Sequence, residues 1–227
     1  SNGGFTISGN YIGGSAVSAL GKPLQLSASN TAHTFGYTPI FLHVGTAQST
    51  SVQANTITNI KVSGPNAQQF SAIRIDAGNV LIGTTSGNII GSSSVFNAIE
   101  SISTVANANT YGVFVNGLSD VVLANNQIGG MYTNSSATTN AHSLYGIYKS
   151  AVGGILRVES NLIGSQTHAR NFRAGSISSS NAQVVYGIYT LGTGHTTIQD
   201  NIVANLMDST TRNNAANSIG GIYFGGS

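Results

Sequence analysis

Residues 158–164 read Val158-Glu159-Ser160-Asn161-Leu162-Ile163-Gly164, and this short phrase recurs along the whole chain. It consists of a hydrophobic residue, two small or polar residues, Asn, any residue, a β-branched hydrophobic residue and usually Gly. The same phrase, degenerate at Asn88, surrounds five further asparagines: Asn10, Asn55, Asn88, Asn126 and Asn201. Six strand-sized copies in 227 residues indicate a repeat protein.

The two hydrophobic residues of each phrase lie five positions apart, as Val158 and Ile163 do. Side chains alternate between faces along a strand, so this odd spacing places both on one face only if the alternation breaks once. A residue with positive φ makes such a break, and Asn and Gly adopt positive φ with little strain. We therefore interpret the six asparagines as structural corners joining two short strands, with Gly9 assisting at the first. Their stacked amides are expected to form a hydrogen-bonded ladder.

A second phrase, of the form Tyr-Gly-Ile-Tyr, alternates with the first. Clear copies begin at Tyr111, Tyr145, Tyr186 and Gly220, and weaker ones at Thr38 and Ser71. The spacing from this phrase to the next Asn is 17, 17, 15, 16 and 15 residues, whereas the return arm is 28, 16, 23, 19, 25 and 19 residues. The constant arm indicates strands in register, and the variable arm indicates loops projecting from one side. The alternation of long and short return arms predicts two interleaved sub-repeats.

The period is roughly 38 residues, and each period offers two or three strands without sustained helical periodicity. The alternation of Asn-x-Ile-Gly with Tyr-Gly-Ile-Tyr resembles the right-handed parallel β-helix family, and within it the repeat regions of large Bacteroidetes-type secreted or cell-surface proteins. This resemblance covers the whole chain. It implies an all-β, right-handed parallel β-helix of about five to six rungs, forming a single segment over residues 1–227. We expect this segment to belong to a longer repeat protein.

Two buried ladders of aliphatic side chains should hold such a helix together, one from each phrase. The first contains Ile40, Ile73, Val113, Ile147, Ile188 and Ile222, and the second contains Ile12, Ile57, Ile90, Ile128, Ile163 and Val203. In the third copy the register places Thr85 inward, unless the strand uses Val80 and Ile82 instead.

The composition excludes several classes of function. Charged residues make up 6% of the chain against 40% hydrophobic residues, a balance that argues against disorder. The eight Lys and Arg residues are dispersed, so nucleic acid is not an expected partner. There is no Cys, and no apolar run approaches the ~20 residues of a membrane span, so neither a thiolate metal site nor membrane insertion is expected.

The residues that could carry chemistry are few. No two of the six carboxylates fall in register at the spacing of a glycosidase pair, although Arg157 and Glu159 should form an exposed ion pair. The histidines lie in or beside predicted loops without metal-ligand spacing, and we predict that they are solvated. We therefore expect no catalytic residue, metal or cofactor. The carboxylates are Asp76, Glu100, Asp120, Glu159, Asp200 and Asp208; the histidines are His33, His43, His142, His168 and His195.

The outward-facing aromatic residues are the most informative surface feature of the sequence. If Ile147 and Ile188 point inward, the residues that follow them point outward and form a stripe: Phe114, Tyr148, Tyr189 and Tyr223. An exposed stripe would suit sugar rings or a packing partner. The alternative is that variable loops cover the stripe and make it a second core.

These features favour a non-enzymatic, structural or adhesive segment of a bacterial extracellular or cell-surface protein. Its partners would be flanking β-helix repeats or copies of itself, with glycans as a further candidate. Two alternatives stay open: a subunit of a self-assembling extracellular filament, and a carbohydrate-active lyase-like or hydrolase-like β-helix whose active site lies outside this segment.

Overall fold

The chain forms a parallel β-solenoid, as the repeats predict. A computed structural model describes residues 3–15, 21–29, 35–65, 69–104, 108–118, 120–150, 153–178, 180–192, 194–210 and 218–225. Within these residues every regular element is a β-strand, and the strands are arranged as six coils of four.

The coils follow one another in chain order. Coil 1 contains β1 (Thr6–Ser8), β2 (Tyr11–Gly13), β3 (Leu24–Ser27) and β4 (Ile40–His43). Coil 2 contains β5 (Thr50–Gln53), β6 (Thr56–Thr58), β7 (Ile60–Gly64) and β8 (Phe70–Ala77). Coil 3 contains β9 (Val80–Ile82), β10 (Ile89–Gly91), β11 (Ile99–Ser103) and β12 (Ala108–Val115). Coil 4 contains β13 (Val121–Ala124), β14 (Gln127–Gly129), β15 (Met131–Ser135) and β16 (His142–Lys149). Coil 5 contains β17 (Leu156–Glu159), β18 (Leu162–Gly164), β19 (Phe172–Ser176) and β20 (Val184–Thr190). Coil 6 contains β21 (Thr196–Gln199), β22 (Ile202–Ala204), β23 (Leu206–Thr210) and β24 (Ser218–Phe224).

Corresponding strands of successive coils pair in parallel and build four six-stranded sheets. We call them sheets A, B, C and D, after the first, second, third and fourth strand of each coil. The prediction of two or three strands per period was therefore wrong. It failed because the B and C strands of coils 2, 4 and 6 are separated by a single residue and look like one run in the sequence.

Both predicted aliphatic ladders are present and face one continuous core, except at Ile222. The prediction that Ile222 is buried was wrong: it is 54% exposed, because β24 is the edge strand of sheet D. In sheet D, Ile147 lies in register with Val113 on one side and Ile188 on the other. In sheet B, Ile128 lies between Ile90 and Ile163 in the same way. The third coil uses Val80 and Ile82 inside, and Thr85 lies in the connection to β10. Burial of each aliphatic side chain contributes roughly 1.5–3 kcal/mol to the free energy of unfolding.

The two sequence phrases pack against each other through glycine. A Cβ on Gly146 of the Tyr-Gly-Ile-Tyr phrase would lie 2.7 Å from Cγ2 of Ile163. Corresponding contacts join Gly112 to Ile128 and Gly187 to Val203. Because the inner ladder of sheet B fills the space in front of sheet D, the second position of this phrase has no room for a side chain in these three coils.

The alternation of long and short return arms is located at the corner between sheets B and C. Coils 1, 3 and 5 have longer connections there, of which the structure describes residues 14–15 and 21–23, 92–98, and 165–171. Coils 2, 4 and 6 have one residue, which has positive φ in each case: Asn59, Gly130 and Asn205. Connections of several residues also join sheets C to D and D to A, so the loops are not confined to one side as predicted.

The loops of coils 3 and 5 meet over coil 4, which lies between them. Asn171 of coil 5 donates from Nδ2 to the carbonyl of Ser92 in coil 3, at 3.1 Å, and accepts from the N–H of Gly130 in coil 4, at 2.7 Å. Beside them the ring of His168 meets the ring of Phe96 edge to face. The repeating unit is therefore two coils rather than one.

Candidate functional site

The six corner asparagines form a continuous amide ladder between sheets A and B. Nδ2 of each of the first five donates to Oδ1 of the Asn in the next coil, over 2.8–3.0 Å. Each backbone N–H of the first five donates to the same oxygen. From Asn55 onward, Nδ2 also donates to a strand carbonyl of the preceding coil. These amides are engaged in holding coils together, which gives them a structural role.

At five of the six corners the positive φ belongs to the residue before the Asn and not to the Asn itself, whereas at the third corner neither Gly87 nor Asn88 has positive φ. It is found at Gly9, Ala54, Asn125, Ser160 and Asp200. The prediction that Asn makes the bend was wrong on this point. The bend tolerates varied residues, whereas the ladder requires a side chain that both donates and accepts.

The predicted aromatic stripe lies on the outer face of sheet D, with its four rings in register. Phe114 is only 7% exposed, Tyr148 and Tyr189 are half-buried, and Tyr223 is 38% exposed. The stripe is thus not uniformly exposed, and Phe114 does not lie on the surface as predicted. The guanidinium of Arg74 lies over its ring at 5.3 Å.

A second column of rings, which the sequence analysis missed, packs beside the first. It contains Tyr111, Tyr145 and Tyr186, the first residues of the Tyr-Gly-Ile-Tyr phrases. They reach the outer face because the alternation of side chains breaks at the glycine that follows. Tyr111 and Val113 pair with Tyr145 and Ile147 at one constant offset, but Gly112 itself is not paired. The Tyr that precedes Gly in three of the four clear copies of the phrase was the available signal.

The rings are stacked on one another along the solenoid. Tyr148 and Tyr189 are parallel within 2° at 5.2 Å, and Tyr189 and Tyr223 within 10° at 4.4 Å. Because stacked rings cover each other's faces, the outward side of the column offers ring edges and hydroxyl groups. A sugar-binding platform needs exposed ring faces, so this geometry favours the second-core interpretation, with neighbouring rings rather than loops as the cover.

Burial within this aromatic cluster changes the acidity of its phenols. Removal from water raises the pKa of Tyr111 to about 12, and the neighbouring Tyr148 adds to the effect. Burial likewise raises the pKa of Tyr145, Tyr148 and Tyr189. All of these phenols are neutral at physiological pH, which suits a packed cluster and not a proton-transfer site.

The carboxylates are spread over separate elements and are engaged locally. Glu159 accepts from Arg157 at 2.7 Å, the predicted ion pair, and Glu100 lies 3.2 Å from Nζ of Lys61. For Asp76, burial raises the pKa, but hydrogen bonds from Arg74 and Asn116 and the charge of Arg74 outweigh it and lower the pKa overall. The contacts of Asp76 therefore stabilise its charged form.

Asp208 is the one described carboxyl group whose pKa is raised, and burial is the main cause. It accepts a hydrogen bond from Nε2 of Gln183 at 2.6 Å. A glycosidase needs a second carboxyl group across the scissile bond. The other five lie on β8, β11 and β17, in a connection between sheets D and A, and at an A–B corner.

The histidines do not share one environment. His43 and His195 are exposed and His168 is half-buried, whereas His33 lies outside the described residues. His142 is fully buried, so the prediction that it is solvated was wrong. Its Nδ1 lies 3.0 Å from the hydroxyl of Thr133, which accepts from Thr110. In the sequence, His142 lies beside a loop, and this position did not indicate that His142 is the first residue of a strand and points into the core.

Among the described residues no group of three His, Cys, Asp or Glu side chains could hold a metal ion. No helix in that part of the chain is long and apolar enough to cross a membrane. Comparison with protein-family models, curated proteins and solved structures gives no match. The resemblance to Bacteroidetes-type surface proteins therefore enters only as part of a proposal.

Proposed function

We propose that this segment is a non-enzymatic structural rod of an extracellular or bacterial cell-surface protein. The observation that carries the proposal is the uninterrupted Asn ladder, because it couples all six coils by side-chain hydrogen bonds in addition to the parallel sheets. A solenoid whose coils are joined in this way keeps its first and last coils at a fixed distance from each other. Six coils spaced by ~4.8 Å span about 24 Å from first to last.

The local engagement of its ionisable groups supports the non-enzymatic part of this proposal. Most of the described carboxylates hold a strand or a loop in place. An enzyme would bring such groups together around a shared substrate position. The nearly uncharged surface, with 6% charged residues in the whole chain, suits a scaffold that does not recruit ionic partners.

Stiffness is testable by distance measurement between coils 1 and 6. The chain has no Cys, so the double variant Ser8→Cys/Gln199→Cys places two spin labels on exposed positions of sheet A. Pulsed electron resonance should give one narrow distance distribution consistent with a span of about 24 Å plus the labels. A broad distribution would contradict a rigid rod. Release of reducing or unsaturated ends from a polysaccharide panel would contradict the non-enzymatic role.

A filament of copies is the second candidate, and the polarity of the Asn ladder favours it. Every rung donates in the same direction, so Oδ1 of Asn10 faces one side of the stack and the N–H of Asn201 faces the other. These groups are complementary for head-to-tail pairing, which propagates without closing. Sedimentation at rising concentration should then show growing assemblies, and Ile222→Lys in β24 should abolish them. A single molecular species at every concentration would contradict the filament proposal and leave the rod proposal unaffected.

A further inference from the structure

A cleft of about 300 Å³ lies at the B–C corner of coil 2, independent of the structural role proposed above. It is lined by Thr56, Thr58, Ile89, Gly91, Ser92, Ser94 and Gln127. Three successive coils contribute to it, and its size falls at the lower end of small-molecule sites.

The cleft opens because the pairing of β6 with β10 stops early. Thr56 pairs with Ile89 and Ile57 with Ile90, but the ladder does not continue to Thr58 and Gly91. Gly91 has a φ of 72°, which turns the chain out of the sheet into the loop at residues 92–98. The outward faces of β6 and of this loop are thereby separated.

The pairing of β14 with β18 also stops early, but that corner is closed because a side chain occupies the space. There the pairing stops before Gly129 and Gly164, and Gly164 also has positive φ. The amide of Asn171 fills that position, because a Cβ on Gly129 would lie 2.5 Å from its Oδ1. The register of sheet C makes Ala98 the counterpart of Asn171, and a methyl group cannot reach across.

A buried hydroxyl without a partner lies in this cleft. Thr58 is 2% exposed, and its Oγ1 has no hydrogen-bond partner among the described residues. Since Ile57 points into the core, Thr56 and Thr58 both point outward, toward the cleft. A buried hydroxyl left unpaired is costly, so a ligand that pairs with it gains the corresponding free energy.

The chemistry of the lining defines the ligand class. None of the lining residues is charged, which excludes recognition of an ionic group. Hydroxyl and amide groups surround the apolar side chain of Ile89, which is 41% exposed. We propose that the cleft binds a neutral pyranose, whose hydroxyls pair with Thr58 and Gln127 while its C–H face packs on Ile89. With few contacts and no aromatic platform, the affinity should be in the millimolar range.

The experiment is a titration of the isotope-labelled full chain followed by the methyl resonances of Ile89. The probe is methyl β-glucopyranoside, with glucuronate, glucosamine and the open-chain sorbitol as comparators. The neutral pyranoside should give a saturable shift and the three comparators should give weaker ones. No shift with the pyranoside, or equal shifts with sorbitol or the charged sugars, would overturn the proposal.

Two variants tie the shift to the cleft. Thr58→Val keeps the shape and removes the hydroxyl, so binding should weaken about tenfold while the fold stays at least as stable. Ile89→Ser, followed by the methyl resonance of Thr58 in place of that of Ile89, should weaken binding, whereas the matched control Leu162→Ser, followed by the same resonance, should not. Leu162 occupies the same outward column of sheet B two coils away and does not line the cleft. Unchanged binding in Thr58→Val would assign the shift to another site and refute the inference.

Discussion

Asn126 shows how one side chain joins three coils. Its Oδ1 accepts from the backbone N–H and Nδ2 of Asn88 in coil 3, and its Nδ2 donates to the carbonyl of Ile82 and to Oδ1 of Asn161 in coil 5. Asn126 is fully enclosed, so water cannot replace these partners. Each buried donor or acceptor left unpaired costs about 1–3 kcal/mol.

Asn126→Ala should therefore lower the free energy of unfolding by roughly 2–5 kcal/mol, since several buried groups lose their partner. Asn10→Ala is the matched control. Asn10 belongs to the same ladder but is exposed, so its loss should cost less than about 1 kcal/mol. Chemical denaturation of both variants measures the difference. Equal losses would mean that the ladder adds little to the pairing of the strands.

Lys149 is a second residue whose buried environment determines its contribution to the free energy of unfolding. It lies in β16 in register with the core residue Val115, and its Nζ has no hydrogen-bond partner among the described residues. Burial lowers the pKa of this amine, and the negative charge of Asp120 opposes that effect. Lys149→Met should raise the free energy of unfolding by about 1–3 kcal/mol at neutral pH, as measured by chemical denaturation.

The pH dependence provides a separate check on Lys149. Between its lowered pKa and the ordinary value of 10.5, the unfolded chain binds more protons than the folded one. The stability of the unmodified chain should rise with pH through this window, relative to Lys149→Met. The raised pKa of Tyr111 lowers stability above pH 10 in both proteins, so the difference between them isolates Lys149. A difference that does not change with pH would contradict a buried charged amine.

At the scale of elements, the sequence reveals periodicity better than strand boundaries. The Asn ladder and both aliphatic ladders follow from phrases with constant spacing, because register requires such spacing. The B and C strands of coil 4 could not be separated, because only Gly130 stands between them. The burial of His142 and the position of the second column of rings depend on where the alternation of side chains breaks within a strand. Spacing alone does not contain that information.

The glycine of the Tyr-Gly-Ile-Tyr phrase offers the sharpest test at this scale. In Gly146→Ala the new methyl group would meet Ile163 at 2.7 Å and the carbonyl of Gly187 at 2.5 Å. We expect a loss of about 1–3 kcal/mol in the free energy of unfolding from overpacking. Gly221→Ala is the same change in the last coil, where the nearest atom is Cγ1 of Val203 at 4.0 Å, and it should be neutral. Thermal denaturation compares the two, and a neutral Gly146→Ala would refute the packing argument.

For the whole molecule, the contacts between alternate loops make two coils the unit of stability. The loop at residues 165–171 reaches across Gly130 to the loop at residues 92–98, and Arg173 of coil 5 donates to Asn97 of coil 3 while stacking on Tyr132 of coil 4. A coil with a single-residue corner is needed between two coils with loops. In ordinary solenoids each repeat contacts only its neighbours, so stability increases with the number of repeats.

Deletion of whole coils distinguishes a two-coil unit of stability from independent stacking of single coils. Removal of residues 80–155 takes out coils 3 and 4 and keeps the alternation of loop and single-residue corners, whereas removal of residues 121–155 takes out coil 4 alone and brings two loop-bearing coils together. Nearest-neighbour additivity predicts that the longer product is the more stable one. We expect the opposite: the two-coil deletion should unfold cooperatively at the higher temperature, because the abutting loops of the one-coil deletion compete for the space over a corner that is no longer there. Circular dichroism melting of both products decides, and a higher midpoint for the one-coil deletion would show that the coils stack independently of their loops.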